Sequence, residues 1–380
     1  MTIRNLFFTV IAVGWCLPVN GHNPHGGQNP RGLVNLGNTC YMNAVLQCLF
    51  ALPAFRQAIE ASVQNDTADL TVVALHDLMQ EYQEGDIWVE PLSFFECVSA
   101  QNLLGPGVNL NRQQDATELY EQLAEKLTPQ AVFKELFGVS YETLLSSSNP
   151  DEFRPADIKY VDEWVVRTTH GYFNDASGIE EGILGFFKER VSEDREAEHA
   201  GANRPYTVSS RNILRDARDY LVIAAPRINP DYTKNLTPIG ATLRPVPLTV
   251  QKNADTSEVL WYDLMGVVLH RGQTLNSGHY SAVTRYGDQW YECNDTDVTP
   301  LTDGEVKDML VGRTGYQTVL FFFQRDNAAL KEYRNTQNMI DQQRLAYGGP
   351  SVLHGALMRG LRPAYLPEYQ ESIGDLLDID

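Results

Sequence analysis

The chain has 380 residues, enough for one large domain or two ordinary ones. Its 49 acidic side chains outnumber 30 basic ones, giving a formal net charge of −19; such a surface repels phosphate backbones, argues against nucleic acid as a partner and favours basic partners. Five cysteines are too few to staple a fold of this size, so a disulfide framework is excluded.

Residues 1–21 place one cation, Arg4, before an apolar run from Leu6 to Leu17, followed by Pro18-Val19-Asn20-Gly21. That order is the layout of a secretory signal peptide cleaved after Gly21; the other reading is a buried N-terminal strand or helix. The run is too short for a permanent membrane span, and no later segment reads as one. Residues 22–31 are rich in Gly, Pro and Asn and are expected to form a flexible leader.

The densest pattern lies between Gly32 and Arg325. Leu33 to Leu52 holds a helix candidate, with Asn38 and Thr39 as N-cap types and Pro53 as its stop. Its apolar residues run nearly all the way round, as in a helix buried at the centre of a domain. Leu70, Val73, Ala74, Leu78 and Tyr82 predict an amphipathic helix ending before Gly85. Ala116, Leu119, Tyr120, Leu123 and Leu127 predict another, with Asp115 and Glu118 in its first turn, where the helix dipole favours them.

From about Tyr206 the pattern turns to strands: Tyr220–Ala224, Val259–His270, His279–Tyr286, Gln289–Cys293 and Gln317–Gln324 are rich in β-branched and aromatic residues. Gly287-Asp288 reads as a hairpin turn. Helices first and strands later make an α+β plan. Ser146–Pro155 and Ser192–Pro205 are polar and read as loops. Residues 326–380 form a separate extension, with a helical stretch, then Gly348-Gly349-Pro350 and an acidic end.

A nucleophilic thiol needs a thiolate-favouring setting, a base and donors for the oxyanion. Cys40 sits at the start of the buried helix, where the dipole and free N–H groups favour negative charge. Ser277-Gly278-His279-Tyr280 presents a histidine at the head of a strand. Asn294-Asp295 follows on the next one, so a hairpin would set Asn294 or Asp295 beside His279. That is a Cys/His/Asn-or-Asp arrangement, the third residue fixing the imidazole tautomer. A lone cysteine is more often a small core residue, and a lone histidine a satisfied one.

The wording around these residues decides between the two. Gly32 to Gln47 (GLVNLGNTCYMNAVLQ) resembles the cysteine box of the ubiquitin-specific proteases. Tyr262 to His270, with Ser277 to Ala282 and Trp290 to Asp295, is similar to that family's histidine box. Gln113-Gln114-Asp115-Ala116 with Glu118-Leu119 resembles the signature between them. The three occur in family order and cover residues 32–325.

The resemblance implies a papain-like fold of helical thumb, β palm and β fingers, and a thiol-dependent deubiquitinase acting on ubiquitin and ubiquitinated proteins without a cofactor. It implies Cys40 as nucleophile, His279 as base, Asn294 as the orienting residue with Asp295 sharing the work, and Asn35 as oxyanion donor. It assigns Asp115 and Glu118 to the arginines of the ubiquitin tail, with Gln114, Gly278 and Tyr280 also on the substrate path. For Asp115 and Glu118 helix-start electrostatics is the simpler reading, and for Asn35 a turn role.

The chain departs from the family in its fingers. Many members bind zinc there through two Cys-x-x-Cys pairs, but cysteines occur here only at positions 16, 40, 48, 97 and 293. Ser146-Ser147-Ser148 and Thr207-Val208-Ser209-Ser210 stand where the pairs are expected, so four-thiolate zinc ligation is excluded. The usual Leu-Lys-Arg-Phe run reads Ala225-Pro226-Arg227-Ile228. Cys48 and Cys97 are expected in the core and Cys293 behind the site. The other functional readings are a protease for a ubiquitin-like modifier and an inactive ubiquitin-binding scaffold. The apparent signal, set against three N-glycosylation sequons at Asn65, Asn235 and Asn294, points to a bacterial protein exported to act in a host cytoplasm; a cytoplasmic eukaryotic enzyme is the alternative.

Overall fold

The computed structural model describes residues 29–63, 69–84, 88–103, 113–127, 135–147, 158–163, 165–167, 178–187, 189–199, 202–229, 231–241, 243–253, 255–274, 277–312 and 314–325. The signal-peptide reading, most of the leader, the body of the Ser146–Pro155 segment and the 326–380 extension lie outside them.

Five helices open the chain: α1 (Cys40–Phe50), α2 (Pro53–Ser62), α3 (Leu70–Glu84), α4 (Leu92–Ala100) and α5 (Ala116–Leu127). The helix expected from Leu33 begins only at Cys40, because Leu33 belongs to a short strand, β1 (Gly32–Leu33), paired in parallel with β2 (Trp88–Val89). Pro53 ends α1 and also opens α2 at its first turn, where its fixed φ and missing N–H cost nothing. Every residue of α1 is buried, as apolar residues running nearly all the way round imply, and the two polar ones, Asn43 and Gln47, are buried with them.

A four-stranded sheet follows in the order β4 (Ile158–Glu163), β3 (Val139–Ser147), β7 (Ala202–Ala217), β6 (Glu189–His199). This corrects two expectations. Strands begin well before Tyr206, and Ser192–Pro205 is not a loop but the end of a hairpin whose ladder runs from Ser192↔Val208 to His199↔Ala202. The segment carries no apolar alternation, so periodicity cannot reveal it; backbone hydrogen bonds define the strands instead. The two stretches standing where thiolate pairs are expected face each other across β3 and β7, as Leu145↔Ser210, Ser146↔Ser209 and Ser147↔Val208.

The central sheet has eight strands. Its main path runs β13 (Asp297–Leu301), β12 (Gln289–Asn294), β11 (His279–Tyr286), β10 (Ser257–Arg271), β14 (Gln317–Arg325), β8 (Tyr220–Ala224), β5 (Val166–Arg167), with β9 (Val246–Gln251) also on β10. Both faces are covered. Val268, Ala282, Leu320 and Phe322 pack into the core of α1 to α5. Val267, Val283, Phe321 and Phe323 pack into a second core with α6 (Ile179–Phe186), α7 (Asp303–Leu310) and β9. This is why β14 reads as an unbroken apolar run: a strand buried on both faces has no polar side. Burial of the fully enclosed Phe321, Phe322 and Phe323 contributes about 1.5–3 kcal/mol each against exposure.

The sheet therefore carries its hairpins directly onto the N-terminal helix. α1 packs across β11, β10 and β12, so residues more than 230 positions apart in the chain meet at one place.

Candidate active site

Cys40 is the first residue of α1 and is 3 % exposed. The loop before it is folded around the Asn35 carboxamide oxygen, which accepts from the backbone N–H groups of Gly37 and Thr39, both at 3.1 Å. Leu36 N–H donates to Thr39 Oγ1 at 2.9 Å. Gly37 takes φ of +136°, a conformation glycine alone adopts readily. The first-turn N–H groups of α1 have no acceptor within the helix, so the thiol stands where anionic charge is favoured.

His279 opens β11 directly opposite Arg271 of β10, and Asn294 closes β12. The β11–β12 hairpin brings their side chains together, with His279 Nε2 at 2.6 Å from Asn294 Oδ1. With Nε2 held there, Nδ1 is left for Cys40, to which His279 is also hydrogen-bonded. That bond with Cys40 is the main cause lifting the imidazole to a pKa of about 9; burial opposes it, while Asn294 and the charges of Cys40 and Asp295 add to the rise. The imidazolium is therefore favoured beside the thiol.

Asp295 Oδ2 lies 3.8 Å from His279 Nε2, so Asn294 rather than Asp295 holds the ring directly. Asp295 does something else. Its Oδ2 accepts from Asn35 Nδ2 at 2.9 Å and its Oδ1 from Asn43 Nδ2 at 2.8 Å, while its backbone oxygen accepts from Leu33 N–H at 2.8 Å. Its φ is +53°, a left-handed conformation that Asn and Asp tolerate best among residues with a Cβ. One carboxylate thus ties the end of β12 to the loop before Cys40 and to the first turn of α1. Asn43, buried on α1, belongs to the cysteine box but was not singled out by the sequence; its polarity, shared only by Gln47 among the side chains of a mainly apolar helix, was the available signal.

Asn35 keeps both of its assigned roles open in geometric terms. Its oxygen shapes the turn, and its amide nitrogen has one hydrogen on Asp295 and a second to give. Gln113 is a further residue the sequence reading passed over in favour of Gln114: its Nε2 donates to Cys40 Sγ at 3.4 Å and to Gly278 O at 3.1 Å. It bridges the thiol to the residue before His279. Gln114, next to it, is half-buried.

Asp115 caps α5, its Oδ1 accepting from Thr117 N–H at 2.7 Å and Glu118 N–H at 3.1 Å. Helix-start electrostatics therefore accounts for one oxygen of Asp115, and both Asp115 and Glu118 remain exposed. Gly278, whose carbonyl accepts from Gln113, is exposed with φ of +153°. Tyr280 does not fit a surface role: it is 4 % exposed, its phenol pushed well above its ordinary pKa by burial and then by the Asp115 charge, and hydrogen-bonded to the Ala116 backbone. It packs β11 against the start of α5.

Cys48 and Cys293 are fully buried and not poised to react. Burial pushes the Cys293 thiol up to about 12 and Cys48 well above its ordinary value. Cys97 is half-buried rather than fully in the core, and accepts from Gln101 Nε2 at 3.2 Å. Among the described residues there is no cluster of three or more His, Cys, Asp or Glu side chains able to hold a metal ion, and no helix is long and apolar enough to cross a membrane.

Comparison with known proteins supports the same reading. The family model described as ubiquitin carboxyl-terminal hydrolase matches residues 31–323. Ubiquitin carboxyl-terminal hydrolase 36 of Drosophila pseudoobscura pseudoobscura is 24 % identical over 316 residues, covering 77 % of this chain and 29 % of that protein. Ubiquitin carboxyl-terminal hydrolase 6 of Arabidopsis thaliana is 29 % identical over 175 residues, covering 40 % of this chain and 36 % of its own. The chain thus spans about a third or less of the length of these relatives. Among solved structures, the SAGA Ubp8/Sgf11/Sus1/Sgf73 DUB module bound to ubiquitin aldehyde aligns at a TM-score of 0.60 and 19 % identity, covering 78 % of this chain and 70 % of that one. The yeast SAGA DUBm aligns at the same TM-score, covering 68 % of its own chain. The motif order, the thiol–imidazole–carboxamide line at the head of α1 and the span of the model match together place this chain in the ubiquitin carboxyl-terminal hydrolase family, as a protein of the ubiquitin-specific protease type.

Proposed function

We propose that the chain is a thiol-dependent deubiquitinase, cleaving the isopeptide or peptide bond after the terminal glycine of ubiquitin. The observation that carries this is the line Cys40–His279–Asn294, whose imidazole is held at Nε2 by a carboxamide 2.6 Å away and faces the thiol with its other nitrogen. With the proton of Cys40 already held on His279, the sulfur attacks the glycine carbonyl. The negative charge that forms on the carbonyl oxygen meets the first-turn N–H groups of α1 and the second amide hydrogen of Asn35; such a donor is worth about 10²–10³ in kcat. When the C–N bond breaks, the leaving amine takes the proton from His279, and a water molecule then hydrolyses the thioester with His279 again as base.

The exposed carboxylates of Asp115 and Glu118 stand beside Gln113 and Gly278, where an extended basic tail would approach Cys40. The net charge of −19 favours the same partner. Ubiquitin bearing a C-terminal fluorogenic amide tests the activity: turnover that disappears in Cys40→Ala and in His279→Ala supports it, and full turnover in either variant rejects it.

We propose also that residues 1–21 direct export, and that the enzyme acts on host ubiquitin after delivery from a bacterium. The support is the composition of those residues alone; the relatives named above are from fly and plant and lend a bacterial source nothing. Of the sequons, Asn235 is 6 % exposed with its amide donating to Pro226 O, and Asn294 is the partner of His279. N-terminal sequencing of the natural protein decides: a start near His22 supports export, and an intact Met1 on active cytosolic enzyme rejects it.

A further inference from the structure

A second histidine stands behind His279, and nothing in the reaction above uses it. His270 lies on β10 beside Arg271, the residue paired with His279, and faces Tyr280 across the β10–β11 ladder. It is 2 % exposed and its ring packs on Tyr280 with centroids 4.4 Å apart. Two chain segments cross over it. A Cβ built on Gly278 would lie 2.5 Å from His270 Nε2 and 2.4 Å from Arg271 O; one built on Gly272 would lie 2.4 Å from Ser277 O and 3.1 Å from His270 Cε1. The backbone just before His279 therefore rests on the imidazole of His270, with no space to slide.

The imidazole is itself held from below. Lys234, on the connection between β8 and β9, donates its ammonium to His270 Nδ1 at 2.5 Å, to Gly272 O at 2.6 Å and to Gln317 Oε1 at 2.8 Å. Three acceptors from three places converge on one group, and an ammonium meets them with three donors and no acceptor. The connection is anchored by Arg227, which donates to the backbone oxygens of Thr318 and Thr237 at 2.5 and 2.6 Å.

We propose that Lys234 is a positioning residue for His279: its ammonium fixes the His270 ring and the Gly272 carbonyl, and these two set the height of the Gly278–His279 step above Cys40. The assignment rests on the deubiquitinase reading for its consequence in turnover, and on geometry alone for its effect on Cys40.

The arrangement needs His270 neutral, with its one proton on Nε2 and Nδ1 free to accept. A protonated His270 would have no lone pair for the ammonium and would add a like charge against it. The titratable groups around the ring are the phenol of Tyr280, which stays neutral, and Lys234, His279 and Arg227, all cationic or able to become so. Burial first, and then the charges of Lys234, His279 and Arg227 in that order, push His270 down to about 4, while burial and Arg227 push Lys234 down to about 8. The two histidines of the site are thus driven apart, one kept neutral as a support and the other kept protonated as an acid.

The test uses the full chain and iodoacetamide, which reports the reactivity of Cys40 without any ubiquitin. In Lys234→Met the alkylation of Cys40 at pH 7 should slow about tenfold, with kcat falling in proportion and KM little changed, since small displacements of a reacting group carry penalties of that order and larger. Lys234→Arg, which keeps the cation, should lie between Lys234→Met and the original chain. Alkylation in Lys234→Met at the original rate, in protein of unchanged melting temperature, overturns the proposal. Should Lys234→Met not fold, nitrogen-15 imidazole spectra of the unaltered chain decide: a neutral His270 carrying its proton on Nε2 at pH 6 is expected, and a charged ring or an Nδ1–H tautomer overturns it. Loss of ubiquitin cleavage in the unaltered chain with Cys40 reactivity intact would count against the deubiquitinase reading and leave the role of Lys234 standing.

Discussion

The joint at Asp295 and the sheet of β3, β4, β6 and β7 are built on opposite principles. At the joint, one carboxylate receives two side-chain amides, from Asn35 and Asn43, within 3 Å, across sequence gaps of 260 and 252 residues. In the four-stranded sheet, long hairpins are held by backbone ladders, with register shifts between Ser140 and Tyr141 and between Ser192 and Asp194. A ladder accepts many side chains; the joint accepts few. The lesson is that the chemistry of this molecule is fixed by a small number of individual polar groups, whereas the four-stranded arm is held mainly by its backbone ladders.

The first way to break that contrast is at the reacting atom. Cys40→Ala should remove turnover entirely, with ubiquitin binding retained in a titration; retained turnover would contradict the site. Next is the joint. Asp295→Ala leaves the amide of Asn35 without its acceptor and strips that of Asn43 of its shortest bond, leaving it the carbonyls of Leu33 and Val34; a buried donor left unpaired costs about 1–3 kcal/mol. Denaturant unfolding should show a loss of that size, and kcat should fall about 10²–10³-fold because the Asn35 donor is no longer aimed. Asn35→Ala should match the fall in kcat, with KM little changed. A change confined to KM in either variant would move these residues from the reaction to binding.

The arm should respond differently. Thr143 of β3 is paired on both sides, with Lys159 and with Asn212, so Thr143→Pro removes a ladder donor from a strand interior. KM for ubiquitin substrates should rise several-fold while iodoacetamide labels Cys40 at the original rate. Equal loss of both would show that the arm and the joint are one cooperative unit. Chelators should have the smallest effect, because the thiolate pairs are absent from the sequence; activity lost in chelator and restored by zinc would contradict the reading of that region.

How much of this could be read from residues alone follows the same division. Cys40, His279 and Asn294 stand in word-like motifs, and five of the eight central strands, β8, β10, β11, β12 and β14, were legible because they concentrate aromatic and β-branched residues, whereas β5, β9 and β13 were not. The hairpin of β6 and β7 was not legible, since Glu189 to His199 has no apolar period and its strands exist through pairing. Gln113 was quoted within a motif but passed over, because spacing along a chain does not say which of two adjacent glutamines turns toward the thiol. Tyr280 shows the same limit: the motif places it next to His279, but only the structure shows that it is buried, on a strand whose residues from Tyr280 to Thr284 are all buried.

The pH dependence sharpens the account of the site itself. His279 is raised to about 9 chiefly by its bond with Cys40, so its proton is present at neutral pH and lost as the pH climbs through about 9. Turnover should fall on the alkaline side over that range, where the imidazolium that protonates the leaving amine disappears. In Cys40→Ala the largest cause of the rise is gone, so His279 should titrate lower in imidazole spectra; an unchanged titration would separate the two residues.

The central claim is that Cys40, and no other cysteine, attacks the carbonyl at the end of ubiquitin. Intact mass measurement after incubation with ubiquitin carrying a C-terminal thiol-reactive group tests it most directly. One adduct of one ubiquitin on Cys40, absent in Cys40→Ala and with Cys48, Cys97 and Cys293 unlabelled, is the predicted result. Binding without an adduct, or an adduct formed only by a ubiquitin-like modifier, would contradict it.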